Sequence, residues 1–279
     1  MSAVEPAGAV ERWRGLLAGW GIPEDILARA PESPWGFPKD LMARRGRESV
    51  EHEPGTSTRR ALEALPEGGS ALDVGVGGGG SSLPLATRAG RIVGVDSSEA
   101  MLEAFREAAV GLRVEVETVL GTWPEVAPQV PPADVVICHH VLYNVPELEP
   151  FVRALDAHAR RRVMIEITWH HPLAWMNDLW LRFHGLERPE GPSAEDAAAA
   201  LRELGYPVRV ETERRAPRAS WFERREDAIA LVRRRLCLTA DRDPEIAEAL
   251  GDRLVHREGR WSAGPTEHVL ATLWWDVER

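Results

Sequence analysis

Residues 72–80 read Leu72-Asp73-Val74-Gly75-Val76-Gly77-Gly78-Gly79-Gly80. An apolar run ends in an acid and then breaks into glycines. Glycine permits positive φ and lets a ligand approach the backbone, so a strand ending here in a ligand-binding turn is expected. Gly75-x-Gly77-x-x-Gly80 fits the dinucleotide-loop spacing, a pattern of low specificity alone. Asp96 ends the next apolar run, Arg91 to Val95. An acid in that position accepts hydrogen bonds from ribose hydroxyls. Asp73 is the odd residue. Beside a pyrophosphate it would be repulsive, whereas a cationic ligand tolerates it.

Further out, apolar runs recur at 112–119, 133–138, 162–168, 208–213 and 268–277. Helical spacing occupies 82–89, 99–109 and 147–159 between them. It continues through 173–183, 193–204, 223–236 and 245–250. Strands alternating with helices imply right-handed crossovers and a mostly parallel sheet covered on both faces. A hairpin is expected at 254–261, turning at Glu258-Gly259. Residues 10–20, 23–30 and 56–65 read as helices, with prolines 31, 34 and 38 breaking the pattern around Trp35 and Phe37.

LDVGVGGGGSSLPLA followed by VGVDSSEAML resembles the first two motifs of the class I S-adenosylmethionine-dependent methyltransferases. The resemblance covers about residues 70–170. It implies an α/β, Rossmann-like fold with a seven-stranded, mostly parallel sheet and helices on both faces. Residues 1–66 would form a helical N-terminal extension. Residues 67–279 would form the methyltransferase domain, with a helical insertion at about 214–262 before the last strand. The implied cofactor is S-adenosyl-L-methionine. Asp73, Gly75 and Gly77 would line its methionine end, Asp96 would hold its ribose, Met101, Thr122 and Trp123 would meet its adenine, and Ser97 would also belong to the cofactor site. His139 would lie near the methionine moiety. Many relatives carry an acid where Thr122 stands.

His139, His140, Tyr143 and Asn144 follow the fourth run, and Trp169, His170 and His171 follow the fifth. They fit three roles. They could orient an acceptor with one histidine taking its proton, hold a metal, or serve as structural histidines. The first role makes His140 and Tyr143 the candidate catalytic residues, with no metal. By the same resemblance, the lack of an Asn-Pro-Pro-Tyr or Asp-Pro-Pro-Tyr segment points away from amino methylation of nucleic acid. Cys138 does not follow a proline, which points away from a covalent cytosine mechanism. Trp13, Trp20, Trp35, Trp169, Trp175, Trp180, Trp221 and Trp261 lie outside the four nucleotide-binding strands. They fit either an aromatic cover over an apolar acceptor or helix packing. Arg224, Arg225, Arg233, Arg234 and Arg235 read as a solvated basic helix face.

Composition bounds the alternatives. The 279 residues carry a net charge of −10, which disfavours nucleic-acid phosphates as partners. Two cysteines exclude a disulfide framework and a cysteine-only zinc site. No apolar stretch suits a membrane span and the first 20 residues do not read as a signal peptide, so the expected location is cytoplasmic. The expected function is in-line methyl transfer to a small-molecule acceptor. The alternatives are an NAD-dependent oxidoreductase sharing the loop and Asp96, and a non-catalytic S-adenosylmethionine-binding module. The sequence is silent on oligomeric state.

Overall fold

The computed structural model describes residues 8–36, 38–216 and 221–278. Phe37 and part of the expected insertion lie outside them. The helices are α1 (Ala9–Ala18), α2 (Glu24–Leu27), α3 (Lys39–Glu51), α4 (Thr56–Ala64), α5 (Glu99–Ala109), α6 (Leu148–His158), α7 (Asn177–His184), α8 (Ala194–Glu203), α9 (Arg225–Arg235) and α10 (Asp243–Leu250). The strands are β1 (Gly69–Val74), β2 (Ala89–Asp96), β3 (Glu115–Leu120), β4 (Ala133–His139), β5 (Ala159–Thr168), β6 (Arg209–Arg215), β7 (Leu254–Arg257), β8 (Arg260–Ala263) and β9 (His268–Asp276).

Seven strands form one sheet in the order β3-β2-β1-β4-β5-β9-β6. β9 runs antiparallel to both β5 and β6, and the other pairings are parallel. This is the α/β architecture expected from the alternation of runs. Alternate residues serve opposite faces. Leu72, Val136 and Ile165 share a core with α1, α6 and α8. Ala71, Val135 and Met164 share the other core with α4 and α5. A third cluster joins α2, α7, α9 and α10. The chain leaves β1 toward β2 on one side and reaches β4 on the other. The ends of β1 and β4 therefore flank the switch point where ligands bind in such sheets.

Two expectations need correction. The helix expected at 82–89 is only a 3₁₀ turn, Leu83–Thr87, and β2 begins at Ala89. Four successive glycines and Pro84 leave little room for an α-helix between the strands. The space is filled instead by α3, which the periodicity did not indicate. Its buried positions are Leu41, Ala43, Gly46 and Ser49, mostly small. A face of small residues allows close backbone approach but leaves a weak apolar period. α3 packs against α5 and the 3₁₀ turn.

The basic face of α9 is also not a solvated surface at its C-terminal end. Arg233 pairs with Asp243 at 2.7 Å. Arg234 donates to the Ser33 carbonyl at 2.6 Å, and Arg235 donates to that of Pro34. These arginines tie the N-terminal segment to α9. Among the described residues, no helix is long and apolar enough to cross a membrane.

Candidate active site

At the end of β1 the Asp73 side chain is 1% exposed, and among the described residues neither carboxylate oxygen has a partner in good hydrogen-bond geometry, although the Ser82 hydroxyl is near enough to act on it. Burial pushes its pKa up to about 7, with the Ser82 hydroxyl opposing and the nearby Asp96 reinforcing the rise. Gly75 has φ +78° and Gly77 φ +53°. A Cβ on Gly75 would run into Val141, and one on Gly77 would meet the Met42 methyl at 3.1 Å. The loop is pinned from the next strand. Asp96 Oδ2 accepts the Gly77 N–H at 2.9 Å and its Oδ1 accepts the Ser98 N–H at 2.9 Å. α3 lies across the loop's outer side, where a Cβ on Gly78 would strike the Met42 carbonyl.

The ends of β4 and β5 meet one register step away. His139 and Glu166 are cross-strand partners. Ser57 Oγ, in the first turn of α4, lies 2.7 Å from His139 Nε2. His139 Nδ1 is 3.8 Å from Glu166 Oε1, and His140 Nε2 is 3.5 Å from the same oxygen. The His140 N–H donates to the Glu166 carbonyl at 2.7 Å, which holds His140 in the left-handed region at φ +58°. The His139 side chain is buried, while that of His140 is 48% exposed. Burial and His140 together hold the His268 pKa below the usual histidine range. Glu166 and His268 were not singled out from the sequence. An acid inside the otherwise apolar VMIEI run was the available signal for Glu166.

Other expected residues lie elsewhere. Trp123 is 6% exposed, and its indole N–H donates to the Phe151 carbonyl at 3.2 Å. That is a core position under α6, with little surface left for an adenine. Tyr143 accepts the Thr168 N–H at 2.5 Å and lies 2.5 Å from Thr168 Oγ1. Burial raises its pKa, so the hydroxyl stays protonated. It braces the end of β5 rather than presenting a reactive oxygen. Thr122 and Ser97 are exposed beside the ends of β3 and β2, and Met101 is half-buried on α5. Cys138 is fully buried and its pKa is raised by that burial, which keeps it a thiol. Among the described residues, no three His, Cys, Asp or Glu side chains are arranged to hold a metal.

Residues 71–161 match a family model described as a methyltransferase domain. Over those residues the chain matches a methyltransferase domain. A curated relative, the trans-aconitate 2-methyltransferase of Variovorax paradoxus (strain S110), is 37% identical over 95 residues. That match takes in 33% of this chain and 35% of the relative, so the chain spans about a third of the curated protein it matches. Among solved structures, a Bacillus halodurans C-125 protein assigned to the methyltransferases superposes with a TM-score of 0.51 at 16% identity, covering 80% of this chain and 97% of that one. A cyclopropane-fatty-acyl-phospholipid synthase-like protein from Lactobacillus casei ATCC 334 also gives 0.51, at 15% identity, covering 90% and 98%. These structures share the fold. The methyltransferase domain has its glycine loop within the family-matched stretch. Glu166 and the segment beyond it lie outside that stretch.

Proposed function

We propose that this protein transfers a methyl group from S-adenosylmethionine to a hydroxyl of a small molecule. The observation that carries the reading is Asp73, a buried carboxylate under a glycine loop with no cationic partner among the described residues. An uncompensated buried charge is costly, and a cationic ligand offsets that cost. A pyrophosphate would add to it, which argues against the NAD alternative. Asp73, Gly75 and Gly77 would hold the methionine end, and Asp96 the ribose. Residues up to about 66 would act as a cover, with α3 over the loop.

When bound, S-adenosylmethionine supplies a methyl group already activated on sulfur. The protein's part is then alignment and proton removal. His140 is the exposed member of the histidine pair, and its Nδ1, with no hydrogen bond to the described residues, can receive the acceptor's proton when Nε2–H faces Glu166. The Glu166 carboxylate stabilises the imidazolium that forms. Tyr143 is a positioning residue, fixing Thr168 at the end of β5. The relative's name supports a small-molecule acceptor. The net charge of −10 supports a reading without nucleic acid.

Calorimetric titration with S-adenosylhomocysteine, and with NAD in parallel, tests the reading. Saturable binding of the former alone is expected, followed by methyl transfer in an acceptor screen. Binding of NAD alone would overturn it. Cofactor binding with no transfer to any hydroxyl acceptor would favour the non-catalytic module.

A further inference from the structure

A cavity of about 490 Å³ opens beside the ends of β5 and β9, two strands from the glycine loop. Trp169, Trp175, His171, Asn177 and His268 line it, and the exposed Glu190 and Glu267 stand at its mouth. Gly264, at φ +122°, makes room for the Trp175 ring 3.2 Å from where its Cβ would lie. No lysine or arginine is among the described lining residues. His268 lines this cavity and is near enough to His140 to feel its charge.

His171, 7% exposed, and Thr168 are the buried polar side chains described in that wall, and Thr168 Oγ1 is committed to the His170 carbonyl. Its ring stacks on Trp20 with centroids 3.5 Å apart and planes 17° apart. Tyr143 meets it edge-on at 5.1 Å. Arg188 lies 5.6 Å over Trp20 and 4.0 Å over Trp180, and it donates to the Trp20 carbonyl at 2.8 Å. Trp20 in turn donates its indole N–H to the Gly191 carbonyl at 2.5 Å. The imidazole is therefore clamped. Its Nδ1 accepts the Leu173 N–H at 3.3 Å, which fixes the tautomer with the proton on Nε2. Burial and Arg188 hold the ring neutral. Nε2–H has no partner among the described residues and is a fixed neutral donor at the cavity wall.

Charge decides what that donor can serve. A carboxylate in the cavity would lose water and meet the exposed Glu190, while Glu267 is already paired with Arg214 at 2.8 Å. Arg188 does not line the cavity: its Nε and Nη2 are buried without partners among the described residues, and its Nη1 is committed to Trp20. We infer that the acceptor is an uncharged molecule bearing the hydroxyl to be methylated and a second lone-pair atom held by His171 Nε2–H, and that polycarboxylates are excluded. This rests on the methyl-transfer reading. In the step itself, the acceptor oxygen bonds to the methyl carbon as the carbon–sulfur bond breaks. The electron pair stays on sulfur, and the hydroxyl proton passes to His140.

The test is calorimetry on protein saturated with S-adenosylhomocysteine. Four probes are titrated: 6-acetyl-2-naphthol, 6-ethyl-2-naphthol, 6-hydroxy-2-naphthoate and trans-aconitate. The ketone should bind about tenfold or more tighter than the other naphthols, because they lack a neutral acceptor for Nε2–H. Trans-aconitate should not bind. His171→Phe keeps the stack on Trp20 and should erase the ketone's advantage, while His171→Gln should restore part of it. Affinity for S-adenosylhomocysteine is the folding control for both variants, and the wild-type ranking stands if either fails it. The inference is overturned if a carboxylate binds as tightly as the ketone, if the advantage survives His171→Phe, or if no naphthol binds. Failure of S-adenosylhomocysteine itself to bind would instead strike the methyl-transfer reading.

Discussion

Gly46 of α3 and Gly78 of the glycine loop meet backbone to backbone: a Cβ on Gly46 would run into the Gly78 carbonyl oxygen and crowd the Ala108 methyl at 2.8 Å. The helix that covers the loop can approach this closely only because both residues lack side chains. Gly46→Ala should therefore cost about 1–3 kcal/mol of stability by overpacking, despite alanine's better helix propensity. Gly15 in α1 has nothing within 4 Å of its Cβ position. Gly15→Ala should stabilise by about 0.5–1 kcal/mol. Urea unfolding of both variants decides the matter. Equal stabilisation would mean that α3 does not sit on the loop.

That contact also shows where the sequence was legible. The strands were readable because each central strand places branched apolar residues on both faces, and no other element makes such runs. The strand-end acids and histidines were readable because turns interrupt those runs abruptly. α3 was not, since Ala43, Gly46 and Ser49 bury a face with almost no hydrophobic contrast. Trp123 and Tyr143 were assigned to ligands by position after a strand, a criterion blind to side-chain direction. One turned into the core and the other onto Thr168. Glu166 was hidden by the opposite error, because residues inside a strand were read as packing.

Asp73 and His171 should oppose each other in the pH dependence of stability. Asp73 has its pKa raised from 3.8 to about 7 in the folded protein. Between those values the native state holds a proton that the unfolded state has released, so stability falls as pH rises. His171 has its pKa lowered from 6.5 to about 3. Between those values the unfolded state holds the extra proton, so stability falls as pH drops. Each slope is about 1.4 kcal/mol per pH unit at most. From about pH 4 to 6.5 the two nearly cancel. Asp73→Asn should expose a stability that rises with pH over that window, and His171→Gln one that falls. Parallel curves for wild type and both variants in urea would refute the assignment.

Asp73 should also couple cofactor binding to protons. A cationic ligand favours the ionised carboxylate, so affinity for S-adenosylhomocysteine, through its ammonium group, should strengthen as pH rises from about 5.5 to 7.5. Calorimetry in buffers of different ionisation enthalpy should register proton release near pH 6.5. Asp73→Asn should remove both effects and weaken binding. A pH-independent affinity in the wild type would place the cationic group elsewhere.

Glu166 and His140 should separate turnover from cofactor binding. His140→Ala should spare affinity for S-adenosylhomocysteine and cut turnover by about 10²–10⁴, the usual worth of a general base. Glu166→Gln keeps the shape of the site but removes the charge that would stabilise protonated His140. Its loss of turnover should be smaller, with affinity for S-adenosylhomocysteine unchanged. A purely structural Glu166 would instead weaken that affinity and lower the urea midpoint together with turnover. If His140→Ala abolished cofactor binding, His140 would belong to the cofactor site.

Asp96 carries the last prediction, because both of its oxygens are already engaged. Oδ2 holds the Gly77 N–H and Oδ1 the Ser98 N–H, so the residue pins the glycine loop as well as facing a ribose. Asp96→Ala removes both supports and should weaken S-adenosylhomocysteine binding by about 1–3 kcal/mol. Asp96→Asn retains one acceptor but turns an N–H₂ toward an N–H donor, so it should not fully rescue. Comparison of S-adenosylhomocysteine with its 2′-deoxy analogue separates the two roles. If Asp96 binds the ribose, the wild type should prefer the natural compound and Asp96→Ala should lose that preference. If it acts only on the loop, both compounds should weaken equally.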